Sequence, residues 1–437
     1  MTKRSRFIGL ASLALAVAAL AACATAPLKL DDASLEVKAK DIHGRILSVD
    51  THCDTPMMML RGTWDIGQRH EPGQQGSGLI DLPRMKEGCL DALFFGAFVG
   101  QGELTPQAYA KAKERADQLI DAIDKMCEKY PGLVAKATTP ADAARIKKTG
   151  KRIAFIGMEN GYPLGTDLSL VAAYARRGVR YITLTHSSDN QICDSGTDRR
   201  NPEDKGLSAF GRQVVAECNR LGVMIDVSHM SDKSFADVLA VSKAPIFASH
   251  SCCRDLCDNP RNLTDGMIKA LAAKGGVIQM CFLSGYLKTP QPNPERDKAL
   301  KDLEAKYGPR RSVQSIADAT IRAQAAQAYQ IVMQKYPGER AAVMDVVDHI
   351  EHVIRLVGVD YIGIGTDFDG GGGVAGCADV SEMFHVTMEL LRRGYSEKDI
   401  AKIWGGNIMR VLQKVIDGVP GENFRRPDPS LDQSDLR

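Results

Sequence analysis

Five residues carry the chemistry most easily read from this chain. His52 and Asp54 flank Cys53 at i and i+2, Glu159 follows the apolar run Ile153-Ala154-Phe155-Ile156-Gly157-Met158, and His229 and His250 close two other β-rich runs. Side chains at i and i+2 of a strand share a face, so His52 and Asp54 can reach one ion while Cys53 turns to the helical side. An unpaired carboxylate at the end of a buried strand is costly, and bridging two cations removes that cost. Imidazoles mixed with carboxylates, with room left for water, suit a catalytic zinc site. Each residue alone has a plainer reading. H-x-D is a weak motif, a histidine at a strand end is most often a hydrogen-bonded rim residue, and Glu159 could pair with an arginine. The joint pattern outweighs these, because four of only nine histidines (His52, His186, His229 and His250) fall at the ends of expected strands.

Those ends define the fold that must position them. Short β-rich apolar runs alternate with helical patterning, which argues for a parallel α/β fold. The expected strands span residues 46–54, 89–99, 152–160, 181–188, 223–230, 245–251, 276–282 and 361–369, and helices are expected between them over 106–129, 207–221, 264–274 and 344–357. Eight such strands predict a (β/α)8 TIM-type barrel, an architecture of about 250 residues plus insertions. Six of the strands then deliver His52 and Asp54, Glu159, His186, His229, His250 and Asp367 to the one face where all strand C-termini lie. A doubly wound sheet would spread them along an edge instead. The surplus sequence is a helical insertion after strand seven, at about 288–342, rich in Lys, Arg, Glu, Gln and Ala. A lid, a dimer contact and a solvated excursion all fit it.

The 437 residues are 44% hydrophobic and 25% charged with a formal net charge of +2. A globular enzyme for a small organic substrate is therefore expected, and a nucleic-acid partner is not. Residues 1–22 read as a lipoprotein signal peptide, because Lys3, Arg4 and Arg6 precede an apolar run over 8–20 that is short for a bilayer span. Leu20-Ala21-Ala22-Cys23 resembles a bacterial lipobox, which implies lipidation at Cys23 and membrane attachment through that lipid alone. Ala24, in place of Asp, favours the periplasm-facing outer membrane of a Gram-negative cell. Residues 23–40 read as a polar tether, 41–420 as the barrel domain and 421–437 as a C-terminal tail. Eleven cysteines in an exported chain permit disulfides. The Cys252, Cys253 and Cys257 group holds no C-x-x-C pair, so most cysteines are expected to be buried and apolar. His349 and His352, at i and i+3, are expected on a helix surface rather than in a local metal site. His43, His70 and His385 carry no signal.

The strand-end residues also sit in recognisable blocks. Val49-Asp50-Thr51-His52-Cys53-Asp54, Gly157-Met158-Glu159-Asn160-Gly161, Tyr181-Ile182-Thr183-Leu184-Thr185-His186-Ser187, Ile225-Asp226-Val227-Ser228-His229, Ala248-Ser249-His250-Ser251 and Gly365-Thr366-Asp367-Phe368-Asp369-Gly370 occur in this order. Together they resemble the renal (membrane) dipeptidase family of the amidohydrolase superfamily, over about residues 46–412, and Gly405-Gly406-Asn407 fits that family's C-terminal pattern. The resemblance implies a zinc-dependent dipeptidase that cleaves dipeptides with a free C-terminal carboxylate through a hydroxide bridging two metals. It implies that His52 and Asp54 bind one Zn2+, that His229 and His250 bind the other, and that Glu159 bridges them. His186 would contact the scissile carbonyl, Arg261 and Tyr286 the terminal carboxylate, and Asp367 would orient the water and carry protons. Homodimerisation is a further expectation. The family's disulfide at Cys257 is not expected, since the partner position reads Thr289. Two alternatives stay open. Lactonase, deaminase and phosphotriesterase types on the same barrel often use H-x-H and a modified lysine, where this chain has H-x-D and Glu159. A non-catalytic lipid-anchored binding protein would be expected to have lost ligands that are all present.

Overall fold

The apolar runs pair in chain order as parallel strands of a nearly closed barrel: β1 (Val49–Cys53), β2 (Ala92–Phe98), β3 (Arg152–Glu159), β4 (Val179–Thr183), β5 (Met224–Asp226), β6 (Ile246–Ser251), β7 (Val277–Met280) and β8 (Ile362–Ile364). The structure is a computed structural model that describes residues 31–419 apart from 75, 199, 201, 202, 309–312, 314, 315, 317 and 337. The expected (β/α)8 barrel is therefore the observed one. Its seam is closed near the rim. The Asp54 amide donates to the Phe368 carbonyl at 2.9 Å and the Asp367 amide to the His52 carbonyl at 3.2 Å. The buried Asp50 carboxylate takes the Thr366 amide at 2.9 Å and its hydroxyl at 2.6 Å.

Inside the barrel, aromatic rings form a floor under the rim. Phe94 stacks on Phe155 with centroids 4.5 Å apart, and Tyr181 lies 5.7 Å from Phe94 and 5.4 Å from Phe247. These residues share one apolar cluster with Val49, Met224, Val277 and the helix Asn407–Asp417. Such a filled interior is a packed core and leaves the loops of one face for chemistry.

Three strands break their own alternation: β4 between Val179 and Tyr181, and β1 and β6 at the rim. From Asp50 to Cys53, β1 advances three residues while β2 advances two, from Leu93 to Phe95. From Ala248 to Ser251, β6 advances three while β7 advances two, from Ile278 to Met280. Each is a bulge, a device that re-aims side chains. As a result Val49 and His52 both face the interior, as do Phe247 and His250, while Cys53 joins the outer core as expected. The two rim bulges touch: the Thr51 hydroxyl donates to the Ser249 carbonyl at 2.6 Å.

Several expectations need correction. The strands are shorter at the rim than the apolar runs suggested. β5 ends at Asp226 and β8 at Ile364, because the chain then turns through left-handed residues, His229 (φ 72°), Asp367 (φ 61°) and Asp369 (φ 66°). A short strand, Val134–Lys136, pairs with β3; three residues carry no readable periodicity. The last part of the expected tether is helical. Asp31 caps a helix over Asp32–Arg45, and its Leu35 and Ala39 pack on Phe384 and Met388. His349 is buried rather than on a helix surface, accepting the Cys253 amide at 3.1 Å and meeting the Leu287 carbonyl at 3.0 Å. His352 pairs with Asp265 at 2.6 Å.

Within the insertion, helices Pro294–Tyr307 and Ala319–Lys335 share a small apolar cluster of their own around Val313, Ala325 and Tyr329. The ten cysteines of the described residues are free thiols, most of them buried. Thr289 stands against Cys257, hydroxyl to sulfur at 3.8 Å. The expected signal peptide, Cys23 and the expected C-terminal tail lie outside the described residues. Among those described, no helix is long and apolar enough to cross a membrane.

His43 ties the first helix to the barrel and sets an acid limit. Its Nδ1 meets the Cys89 carbonyl at 3.0 Å and its Nε2 the Thr387 hydroxyl at 2.8 Å. Burial pushes it down to about 4, with the Cys89 carbonyl and Asp91 only partly opposing. A depressed histidine contributes stability that is present above the unfolded value and lost as pH falls through the folded one. At about 1.4 kcal/mol per unit, roughly 3 kcal/mol should be lost between pH 6.5 and 4. Urea denaturation across that window should show a steeper loss for the wild type than for His43→Gln.

Candidate metal centre

At the C-terminal rim the six elements deliver one buried cluster. His52 and His250 come from the bulged parts of β1 and β6, and Glu159 is the last residue of β3. His186, His229 and Asp367 each lie three residues past their strands, on the first turn of the loop. His52, Asp54, Glu159, His229, His250 and Asp367 are all buried, and only the His186 side chain is partly open, at 24%.

Glu159 is the centre of the arrangement. Its Oε2 lies 3.4 Å from His52 Nε2, and its Oε1 lies 3.0 Å from His229 Nε2, 3.5 Å from His250 Nε2 and 3.6 Å from His186 Nε2. Each oxygen thus faces a different set of nitrogens. His52 Nε2 also stands 3.9 Å from Asp54 Oδ1 and 3.8 Å from Asp367 Oδ1. Three triplets bring their ligand atoms within 4.8 Å of one another: His52, Asp54 and Glu159; Glu159, His186 and His229; His52, His250 and Asp367.

The donor set fits divalent cations on two observations. Buried polar atoms ordinarily find partners, yet His52 Nε2 and Asp54 Oδ1 have none among the described residues. His229 Nε2 and His250 Nε2 face each other at 2.9 Å beside the Glu159 carboxylate, so three potential ligand atoms converge. A cation there reconciles both. Outer contacts set the ring nitrogens. His250 Nδ1 meets the Ser249 hydroxyl at 2.7 Å, and that hydroxyl donates to Asp226 Oδ2 at 2.7 Å. Asp226 also takes the amides of Ser228 at 3.0 Å and Ser249 at 2.8 Å.

The electrostatics agree. Burial, with Arg261 adding to it, holds His229 and His250 well below the usual imidazole range, so both are neutral and able to ligate. Burial opposes charge on His52, but Glu159, Asp54 and Asp367 outweigh it and push the metal-free ring up to about 10. Burial raises Asp54, and Glu159 adds to that. Glu159 itself stays well below its usual range despite burial, because of His52 and His186. Burial pushes Asp367 up to about 7, with His52 opposing and Glu159 adding.

Beside the cluster, Arg261 is buried at 4% exposure. Its guanidinium is met by a carbonyl and a hydroxyl rather than an acid: Nη2 donates to the His250 carbonyl at 3.0 Å and Nη1 lies 3.4 Å from Ser251 Oγ, while Nε has no partner among the described residues. The Tyr286 ring sits 5.2 Å from the guanidinium carbon. A buried cation paired in this way is prepared for an incoming anion. The final glycine of the last block is explained by space, since a Cβ on Gly370 would stand 2.2 Å from Asp367 Oδ1 and 2.4 Å from Asp54 Oδ2.

All nine sequence-named site residues of the described chain therefore lie in or beside this cluster. Asp50, Asp226, Ser249, Thr366 and Tyr181 were not given roles. Asp50 and Asp226 do leave a signal, as acids inside apolar strands two residues before His52 and three before His229.

Comparison with known proteins agrees with this geometry. The profile of the family described as Membrane dipeptidase (Peptidase family M19) matches residues 36–419. Dipeptidase tcpJ of Claviceps purpurea is 31% identical over 375 residues, covering 84% of this chain and 77% of that protein. The crystal structure of the probable dipeptidase PvdM from Pseudomonas aeruginosa superposes with a TM-score of 0.77 at 33% identity, over 89% of this chain and all (100%) of that one. A metallo peptidase from Rhodobacter sphaeroides, liganded with a phosphinate mimic of the dipeptide L-Ala-D-Ala, gives a TM-score of 0.67 at 25% identity, over 85% of this chain and 99% of that one.

Proposed function

The chain belongs to the membrane dipeptidase family, peptidase family M19, and is a metallo-dipeptidase; from that premise we propose that it is a two-zinc enzyme for dipeptides with a free C-terminal carboxylate. The observation that carries this is Glu159, whose two oxygens face His52 on one side and His229 with His250 on the other, next to the buried Arg261. His52 and Asp54 would hold one ion, His229 and His250 the other, and Glu159 would be shared. When bound, the ions supply a Lewis acid and acidify water towards a pKa of ~7.

The chain's own residues do the rest. Arg261 holds the substrate carboxylate by charge-assisted hydrogen bonds, with Tyr286 packed along the guanidinium. This fixes the peptide bond at a set distance from the cluster and favours dipeptides over longer chains. His186, the most open histidine of the cluster, donates to the scissile carbonyl oxygen as charge develops there. Asp367 accepts a proton from the attacking water and returns it to the leaving amine. One water is consumed, one C–N bond breaks, and an acid and an amine are released.

We further propose export, attachment through a lipid on Cys23 at the periplasm-facing outer membrane, and a homodimer. A dipeptide library screen on the zinc-loaded enzyme tests the activity. It should include L-Xaa-D-Xaa members, given the ligand of the Rhodobacter protein. Metal analysis should return about two zinc per chain. Arg261→Ala should weaken kcat/KM roughly 10–100-fold on free dipeptides, the worth of a lost charged hydrogen bond. The same change should matter little for a C-terminally amidated dipeptide, and an equal loss on both would remove the carboxylate clamp.

A further inference from the structure

Which ring nitrogen of a histidine can ligate is set by the hydrogen bond the other makes. His52 is fully buried and its two nitrogens face opposite ways. Nε2 looks at Glu159, Asp54 and Asp367, whereas Nδ1 meets the Tyr181 hydroxyl at 2.7 Å. Tyr181 has little freedom. Its ring is wedged in the aromatic floor between Phe94 and Phe247. It also lies over Gly157, where a Cβ would stand 2.0 Å from the ring carbon Cζ. An extra residue in β4 sets this pairing, since Ile156 faces Val179 but Gly157 faces Tyr181.

We propose that Tyr181 is a positioning residue of the metal centre, whose hydroxyl accepts the Nδ1 hydrogen of His52, fixes the ring's rotation and leaves Nε2 as the ligating nitrogen. The inference rests on the reading of His52 as a ligand. Ligating histidines commonly donate their second N–H to a carboxylate, a carbonyl or water, and losing that partner costs about 10–100-fold in metal affinity. Here the partner is a phenol standing on the barrel floor. Nδ1 is the donor whether the ring is doubly protonated or Nε2 holds an ion, so the contact persists on loading. On the other side of Glu159, His250 leans on Ser249 and Asp226, whereas His229 Nδ1 has no hydrogen-bond partner among the described residues. Tyr181 therefore acts on one ion of the two.

Tyr181→Phe keeps the ring, its stacking and its fit on Gly157 while removing one oxygen. Metal-free wild type and variant would be titrated with Zn2+ against a competing fluorescent chelator. One of two ions should bind roughly 10–100-fold more weakly, the other as in the wild type, with circular dichroism showing the metal-free fold intact. Long-range imidazole 15N NMR of the zinc-loaded wild type needs no variant and should place the His52 hydrogen on Nδ1. Wild-type affinity for both ions in Tyr181→Phe, equal weakening of both, or a His52 hydrogen on Nε2 would each overturn the proposal. A wild type that binds no zinc would instead bring down the ligand assignment on which it stands.

Discussion

Asp367→Asn is expected to lower kcat by roughly two to four orders of magnitude, the usual worth of a positioned acid–base group, while the ions stay bound. The substitution isolates proton transfer. Asn has the shape of Asp and is one of the few side chains that tolerate the left-handed backbone at φ 61°. Its amide cannot take a proton from water near neutral pH. In the metal-free protein the Asp367 carboxyl stands at about 7, raised chiefly by burial. Nearby divalent charge favours the carboxylate and lowers that value. The acid limb of kcat should therefore fall below pH 7 in the wild type and vanish from the residual activity of the variant. Steady-state kinetics with metal analysis by mass spectrometry decides the matter. An empty site, or near-normal turnover, would remove the assigned role.

The second large effect is expected from Glu159→Gln. The change keeps the volume of a side chain at 2% exposure but removes its charge. An amide also offers an N–H where one oxygen faced an imidazole, so one side of the cluster meets a donor instead of an acceptor. Zinc content should drop from two ions to one or none. The loss in kcat/KM should exceed the roughly 10–100-fold that follows loss of an outer contact. Glu159→Asp keeps the charge but shortens the reach, and should retain more metal than Gln. Circular dichroism separates these results from unfolding. Retention of two ions at wild-type affinity by the Gln variant would show that Glu159 is not shared.

Much of this site was legible because its parts break local rules. A histidine or acid closing an apolar run is anomalous, and six strands repeat the anomaly in barrel order. The barrel was legible for the same reason, since parallel strands buried on both faces read as continuous apolar runs. What escaped was set by tertiary contact. Tyr181 looks like any β-forming aromatic until Gly157 and His52 are placed around it. The helix over Asp32–Arg45 has a weakly amphipathic sequence, and only packing on Phe384 and Met388 makes it one. By pattern His229 and Asp367 look like strand ends, but left-handed turns carry them beyond the sheet. Strain of that kind concentrates at functional sites, and no composition reveals it.

The bulges of β1 and β6 have a consequence for how such a site can change over time. A strand counts in twos, and in both strands one extra residue shifts the count just before His52 and His250. The direction of these two rings is thus a matter of phase, as in a reading frame. A gain or loss of a single residue there exchanges the ring that faces the cluster for its neighbour, with composition almost untouched. The loops beyond the rim do not aim these two rings. A change of length in those loops would leave these two rings where they are, whereas a change of count in either strand would not.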